Sequence, residues 1–137
     1  MRKFSLSAIE CLDHRLYASL IESIGDYACI IAANIRNGIH PLDNRLVEEF
    51  TEIKKFFESM FEVAYRAYQA KDITLKENIL TISDDVERKV DLIRTLIIGR
   101  PLNELSKIFS ILSAINFTRK ALVDITDLTT PSTKIIA

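Results

Sequence analysis

The sequence predicts an all-α protein, an antiparallel bundle of four long helices, and three observations support this. Apolar side chains recur every three or four residues through four segments, the spacing that lines one face of an α-helix. Glycine and proline are scarce, with three of each, and all but Gly25 lie at or beyond the segment ends. Alternating strand-like runs are absent from the sequence. Segments of about 25 to 32 residues with short connections are typical of such a bundle.

Length and composition predict one soluble domain. A chain of 137 residues is long enough to bury most of its unfolded surface, and 48% of its residues are apolar. Eighteen basic and nineteen acidic residues nearly cancel, so the basic excess of a nucleic-acid-binding chain is missing. The N-terminus lacks the apolar core of a leader, and no apolar run approaches the roughly 20 residues of a membrane span. We therefore expect a cytoplasmic protein without membrane insertion or direct nucleic-acid binding.

The two cysteines agree with a reducing compartment. Cys11 and Cys29 are eighteen residues apart in one predicted helix. That separation is about 27 Å at the helical rise, so an intact helix cannot bridge them. We expect two reduced and partly buried thiols, as in cytosolic proteins.

The first helix is predicted from about Ser5 to Arg36. Its apolar stripe consists of Leu6, Ile9, Leu16, Leu20, Ile24, Ile31 and Ile35. Glu22 and Asp26 are one turn apart on the opposite side of the helix. Gly25 between them costs roughly 1 kcal/mol against alanine, which indicates that something packs or binds closely there. The simpler alternative is a solvated acidic face with a helix contact at the glycine.

The second helix is predicted from about Asn44 to Ala70. Asn37-Gly38 is a stop signal for the first helix, and Asp43 is the predicted N-cap of the second. An alternating three-and-four repeat marks a bundle seam at Leu46, Phe50, Ile53, Phe57, Met60, Ala64 and Tyr68. Three further aromatic residues widen the apolar surface: Phe56, Phe61 and Tyr65. A surface of this kind indicates a subunit contact.

The third helix is predicted to open at a Thr74–Glu77 capping box and to end at Gly99. Pro101 suits the first turn of a fourth helix, which ends near Leu128. The predicted core positions of the two helices are Leu75, Ile79, Ile82, Val86, Ile93, Leu96, Leu105, Ile108, Leu112, Ile115, Leu122 and Ile125. A second face of the third helix carries three acids: Asp84, Glu87 and Asp91.

Three stretches carry a family resemblance. They are Leu20-Ile21-Glu22-Ser23-Ile24-Gly25-Asp26-Tyr27-Ala28, Ile82-Ser83-Asp84-Asp85-Val86-Glu87-Arg88-Lys89-Val90-Asp91 and Gly99-Arg100-Pro101-Leu102-Asn103-Glu104-Leu105-Ser106. The first resembles the third-helix signature of PhoU domains, the phosphate-uptake regulators, with Ser23 where the family usually has arginine. The second is similar to the acidic second helix of that family, and the third to the entry into a third helix.

The resemblance implies a repeat organisation within a single domain, residues 1–137. Residues 1–36 correspond to the third helix of a first three-helix repeat, and residues 43–128 to a complete second repeat. The chain then resembles the C-terminal portion, or a shortened form, of a PhoU-like protein. The family implies a regulator of phosphate uptake and homeostasis that is not an enzyme. It also implies a homodimer or other homo-oligomer that contacts a phosphate transporter or a signalling protein.

The resemblance also implies metal ligands. PhoU-like bundles carry Glu/Asp-x-x-x-Asp motifs on their surface that bind iron or zinc clusters, and two such pairs occur here, Glu22–Asp26 and Glu87–Asp91. Carboxylate oxygens on adjacent turns suit a hard or borderline cation. His14 lies about two turns before Glu22, and a contact with another subunit is one way for it to join the site. The second-repeat counterpart, residues 116–121, lacks an acid pair and contains Arg119 and Lys120.

Other functions remain open at this point. The acids alternatively have a structural role, with Asp84 and Asp85 offsetting Arg88 and Lys89. A metal-binding helical bundle with storage or catalytic activity is one alternative function, although the Glu-x-x-His pairs of ferritin-like sites are absent. A dimerisation module of a longer transcriptional regulator is another. Neither a nucleophile in a triad context nor a glycine-rich phosphate loop occurs, so no catalytic residue is predicted.

Overall fold

The computed structural model describes residues 7–37 and 43–128, and these form four helices without a strand. The helices are α1 (Ala8–Arg36), α2 (Asn44–Ala70), α3 (Leu75–Leu96) and α4 (Leu102–Asp127). The predicted all-α bundle of four long helices is confirmed. Every predicted helix end lies within one turn of the observed end.

Helix α4 is central, because α1, α2 and α3 all pack against it. Consecutive helices among α2, α3 and α4 are antiparallel neighbours, as the ion pair between Glu49 of α2 and Lys89 of α3 illustrates. Helix α1 also runs antiparallel to α4, because Lys107 in the N-terminal part of α4 donates to the carbonyl of Asn37 at the end of α1, and the rings of Tyr27 and Phe117 stack further along at 5.4 Å. The backbone of α1 approaches neither α2 nor α3 closely within the described residues. The fold is therefore a three-helix unit with a fourth helix on one side.

The hydrophobic core lies among α2, α3 and α4. Its fully buried large side chains are Leu46, Met60, Ile79, Val86, Val90, Ile93, Ile97, Ile108, Leu112, Leu122 and Ile125. This confirms most of the core positions predicted for these helices. Because each of the three helices has at least two packed neighbours, its apolar face is covered across its width.

Helix α1 contributes little to the core, and here the prediction was wrong in part. Ile24 alone among its described residues is buried, whereas Ile9, Leu16 and Ile35 of the predicted stripe are exposed. Leu6 lies outside the described residues. The thiols of Cys11 and Cys29, expected to be partly buried, are exposed as well. The stripe is present, but one packed neighbour covers only its centre. A wide apolar surface on α1 is left in solvent.

The helix ends show one confirmed cap and one corrected cap. The Asp43 carboxylate accepts a hydrogen bond from the backbone N–H of Leu46 at 2.9 Å, as predicted. Thr74 does not cap α3, because its N–H and hydroxyl donate to Asp72 Oδ1 at 2.9 and 2.6 Å. These hydrogen bonds lower the pKa of Asp72. The resulting stabilisation is present above the ordinary pKa and is lost as the pH falls through the lowered value.

Candidate functional site

The acid pair Glu22–Asp26 lies on the solvent side of α1, opposite Ile24, as predicted. Both carboxylates are exposed, and within residues 7–37 and 43–128 neither has an ion pair or a hydrogen bond. A Cβ added to Gly25 would meet no atom within 4 Å outside its own helix. The close contact expected at this glycine is therefore absent within one described chain.

The acid pair Glu87–Asp91 on α3 is neutralised by arginines. Glu87 Oε1 lies 3.0 Å from Arg119 Nη2, and Asp91 Oδ1 lies 3.0 Å from Arg94 Nη1. These two acids have the charge partners that Glu22 and Asp26 lack. The two predicted motifs therefore differ in the structure: the charges of Glu87 and Asp91 are neutralised by arginines, and those of Glu22 and Asp26 have no partner in the described chain.

Arg119 connects α4 to α3 at the position where the second-repeat acid pair is missing. Besides its contact with Glu87, its Nη1 donates to the hydroxyl of Ser83 at 2.8 Å. Its Nε also donates to Asn116 Oδ1 at 3.5 Å. The guanidinium thus has three side-chain partners on two helices. Where a second acid pair would have offered metal ligands, α4 therefore has an arginine that makes a structural contact with α3.

The local ion pairs expected on α3 are found in part. Arg88 pairs with Asp85 one turn away, as expected. Lys89 instead reaches across to α2, where its Nζ lies 2.8 Å from Glu49 Oε2. The side chain of Glu49 is only 11% exposed. This pair therefore belongs to the packing between helices and not to a solvated face.

The described residues of one chain do not fit a metal cluster. The two predicted pairs lie on α1 and α3, which do not approach each other. Within residues 7–37 and 43–128, no three residues among His, Cys, Asp and Glu are grouped for a metal ion. A structural zinc site takes four ligands, whereas each pair supplies two carboxylates. A cluster at either pair therefore needs ligands from outside the described chain.

An aromatic contact joins α1 to α2 near one end of the bundle. The rings of Tyr17 and Tyr68 are stacked at 4.1 Å, and the Tyr68 hydroxyl is hydrogen-bonded to His14 Nδ1. Lys71 Nζ lies 4.7 Å from the centre of the Tyr68 ring. Burial, together with the negative charge of Asp13, raises the pKa of Tyr68, so its phenol remains protonated at neutral pH. His14 is thus engaged within its own chain.

Beyond this contact α1 and α2 leave an apolar space between them, which we call the α1–α2 groove. Its volume is about 860 Å³, and α4 forms its floor. The walls include Ile31, Ile35, Val47, Phe50, Phe57 and Phe61. Lys54 and Glu58 are the charged residues among its lining. Of the three extra aromatic residues that widen the apolar surface of α2 in the sequence, Phe61 lines this groove, and the sequence did not place it beside α1.

Helix α1 is also the one described helix that is long and apolar enough to cross a membrane, judged by length and composition. Only 6% of the 18-residue stretch of α1 with the highest mean hydropathy is buried. Core helices and signal sequences have similar composition, and α1 carries Glu22 and Asp26 near its middle. Each such acid is costly at the centre of a bilayer, by roughly 2.5–3.5 kcal/mol on insertion scales. The expectation of no membrane insertion stays a prediction.

Comparison with known proteins adds no assignment. No family model, no curated protein and no solved structure matches this chain. The interpretation of its function therefore depends on the motifs in its sequence, the two acid pairs and the surfaces around α1.

Proposed function

We propose that this chain is a PhoU-like regulatory protein of phosphate uptake that acts in the cytoplasm through protein–protein contacts and is not an enzyme. The observation that carries the proposal is the helix arrangement. Helices α2, α3 and α4 form a packed three-helix unit, and α1 is an additional helix on α4. This fits a second repeat, residues 43–128, preceded by the last helix of a first repeat.

The surfaces of α1 support a role in recognition. Its outer face presents Glu22 and Asp26 without a charge partner in the described chain, so a basic surface on a partner gains by pairing with them. Its flank towards α2 is apolar and exposed. We propose a phosphate transporter or a signalling protein as the partner of the acidic face, and a homo-oligomer as the functional form.

Removing the gene from its source organism should change the rate of uptake of radiolabelled phosphate in phosphate-rich medium, because a regulator of uptake is lost. The wild-type gene should restore the original rate, and the double variant Glu22→Gln/Asp26→Asn should not. The matched control is Glu48→Gln/Glu52→Gln, which neutralises an equally spaced pair on α2 away from the groove. Uptake that is unaffected by the deletion would contradict the proposal.

The proposal extends to iron or zinc at Glu22–Asp26, with the remaining ligands supplied from outside the described chain. Protein purified without chelator should contain metal by elemental analysis, and Asp26→Ala should lose most of it because one of two local carboxylates is removed. Asp91→Ala should retain the wild-type content, since Asp91 is already paired with Arg94. An equal, near-zero content in wild type and Asp26→Ala would remove the metal from the proposal.

A further inference from the structure

We infer that α1 is a helix that opens by itself, leaving α4 while α2, α3 and α4 stay folded. The contact of His14 and Tyr17 with Tyr68, which we call the latch, holds it closed. In the closed state α1 covers one side of α4, and in the open state that side is uncovered. Three observations carry the inference: the distribution of buried side chains, the distribution of ion pairs and the position of the latch.

The buried side chains divide the described chain into two parts. The large side chains that are fully buried belong to α2, α3, α4 and the connection between α3 and α4, and none of those in the described part of α1 is among them. Ile24, at 9% exposed, is the one described residue of α1 that is buried. The three-helix unit therefore keeps most of its core when α1 leaves. Segments with few buried apolar contacts open at a lower free energy than the core does.

Ion pairs connect the helices of the three-helix unit but do not include α1. Lys89 of α3 pairs with Glu49 of α2, and Arg119 of α4 pairs with Glu87 of α3. Within residues 7–37 and 43–128, no ion pair joins α1 to another helix. Opening of α1 therefore breaks none of the charge contacts that hold the other three helices together.

The latch lies at the end of α1 that has to move. At the C-terminal end, where the chain continues towards α2, Lys107 of α4 donates to the backbone carbonyl of Asn37. The chain connection keeps this end near α2 in either state, so opening displaces the N-terminal end. His14 and Tyr17, which contact Tyr68, are in that N-terminal half. His14 is about 33 Å from the C-terminal end of the helix at the helical rise.

The latch gives α1 its contact with a helix other than α4. Beyond it, α1 and α2 are separated by the α1–α2 groove of about 860 Å³. The Tyr17 ring stacks on the Tyr68 ring at 4.1 Å with an interplanar angle of 9°, and the Tyr68 hydroxyl is hydrogen-bonded to His14 Nδ1. A stacked aromatic pair and one hydrogen bond together shift an equilibrium by roughly 5- to 150-fold. The latch therefore favours the closed state by about this factor.

The test is amide hydrogen exchange of the purified full chain, followed by mass spectrometry of its peptides at increasing low concentrations of urea. A helix without packed neighbours is only marginally stable in water, so opening of α1 is measured as exchange of its amides. Peptides of α1 should exchange at least about 10-fold faster than peptides of α4 around Leu112. Their exchange should also depend less on urea, because opening exposes less surface than complete unfolding does.

Variants of two tyrosines on α2 test the latch. Tyr68→Ala removes both the stacked ring and the hydrogen bond, so it should speed the exchange of α1 by roughly 5- to 150-fold and leave peptides around Ile79 and Leu112 unchanged. Tyr68→Phe keeps the ring and removes the hydroxyl, so its effect should be smaller. The matched control is Tyr65→Ala, since Tyr65 is 52% exposed and its side chain has no ring contact or hydrogen bond in the described chain. This variant should exchange as wild type does.

Three results would overturn the inference. If α1 and α4 exchange at the same rate and with the same urea dependence, α1 opens only when the whole chain unfolds. If wild-type α1 has no measurable protection, there is no closed state for the latch to hold. If Tyr68→Ala and Tyr65→Ala have equal effects on α1, or if Tyr68→Ala speeds exchange in all four helices alike, the contact is not a latch. Each result is obtained on purified protein and is independent of the effect of the gene on phosphate uptake.

Discussion

Replacing Leu112 with alanine should lower the free energy of unfolding by about 2–5 kcal/mol. Leu112 lies on α4 and is only 1% exposed, in the core shared by α2, α3 and α4. The substitution removes buried apolar surface and leaves a cavity that long helices close incompletely, because their backbones cannot move independently. The measurement is denaturant unfolding followed by circular dichroism, with wild type and variant at the same protein concentration.

Leu102→Ala provides the matched control on the same helix. Leu102 is 83% exposed, so the same chemical change should alter the free energy of unfolding by no more than about 0.5 kcal/mol. A comparable loss in both variants would contradict the placement of the core on one side of α4. A small loss for Leu112→Ala alone would indicate that the core rearranges to fill the space.

The three-helix unit could be predicted from the sequence because its determinants are local. In α2 the seam from Leu46 to Tyr68 lies at a regular spacing, and the structure buries or half-buries every member of it. Asp43 identifies the start of α2, since its carboxylate is within reach of the first free backbone N–H groups. Such signals depend on residues a few positions apart, which sequence reasoning detects directly.

The environment of α1 could not be predicted in the same way. Spacing shows which side of a helix is apolar, but it does not show how many neighbours cover that side. Ile35 therefore resembled a core residue in the sequence and is exposed in the structure. The error has one physical cause, which is that α1 has a single packed neighbour.

For the candidate site, the sequence could predict that the acid pair on α1 is exposed, but it could not predict which acids form ion pairs with residues of other helices. The i, i+4 spacing placed Glu22 and Asp26 together on the solvent side of α1, which is what the structure has. Glu87 has the same spacing to Asp91, but its partner Arg119 lies on another helix, 32 positions along the chain. Contacts over such separations are decided by packing, so the sequence alone did not separate the free acid pair from the neutralised one.

Lys89→Met should lower the free energy of unfolding by about 2 kcal/mol, because it leaves the Glu49 carboxylate between α2 and α3 without its close charge partner. Breaking a buried pair costs about 3–5 kcal/mol. We expect less here because Lys89 is 27% exposed and because Arg45 remains 4.0 Å from Glu49. The measurement is the same denaturant unfolding. The loss of stability includes the cost of leaving the Glu49 carboxylate unpaired between the helices, in addition to the lost attraction between the two charges.

The double variant Glu49→Gln/Lys89→Met separates these two contributions. Removing the second charge should recover most of the loss, since a neutral amide at position 49 has a much smaller desolvation penalty than a carboxylate. Lys55→Met, whose partner Glu52 lies 3.7 Å away at the surface, should change stability by less than about 1 kcal/mol. If Lys89→Met resembled Lys55→Met, the Glu49–Lys89 pair would be a solvated contact. If the double variant were no more stable than Lys89→Met, the loss would come from packing of the lysine stem against the helices.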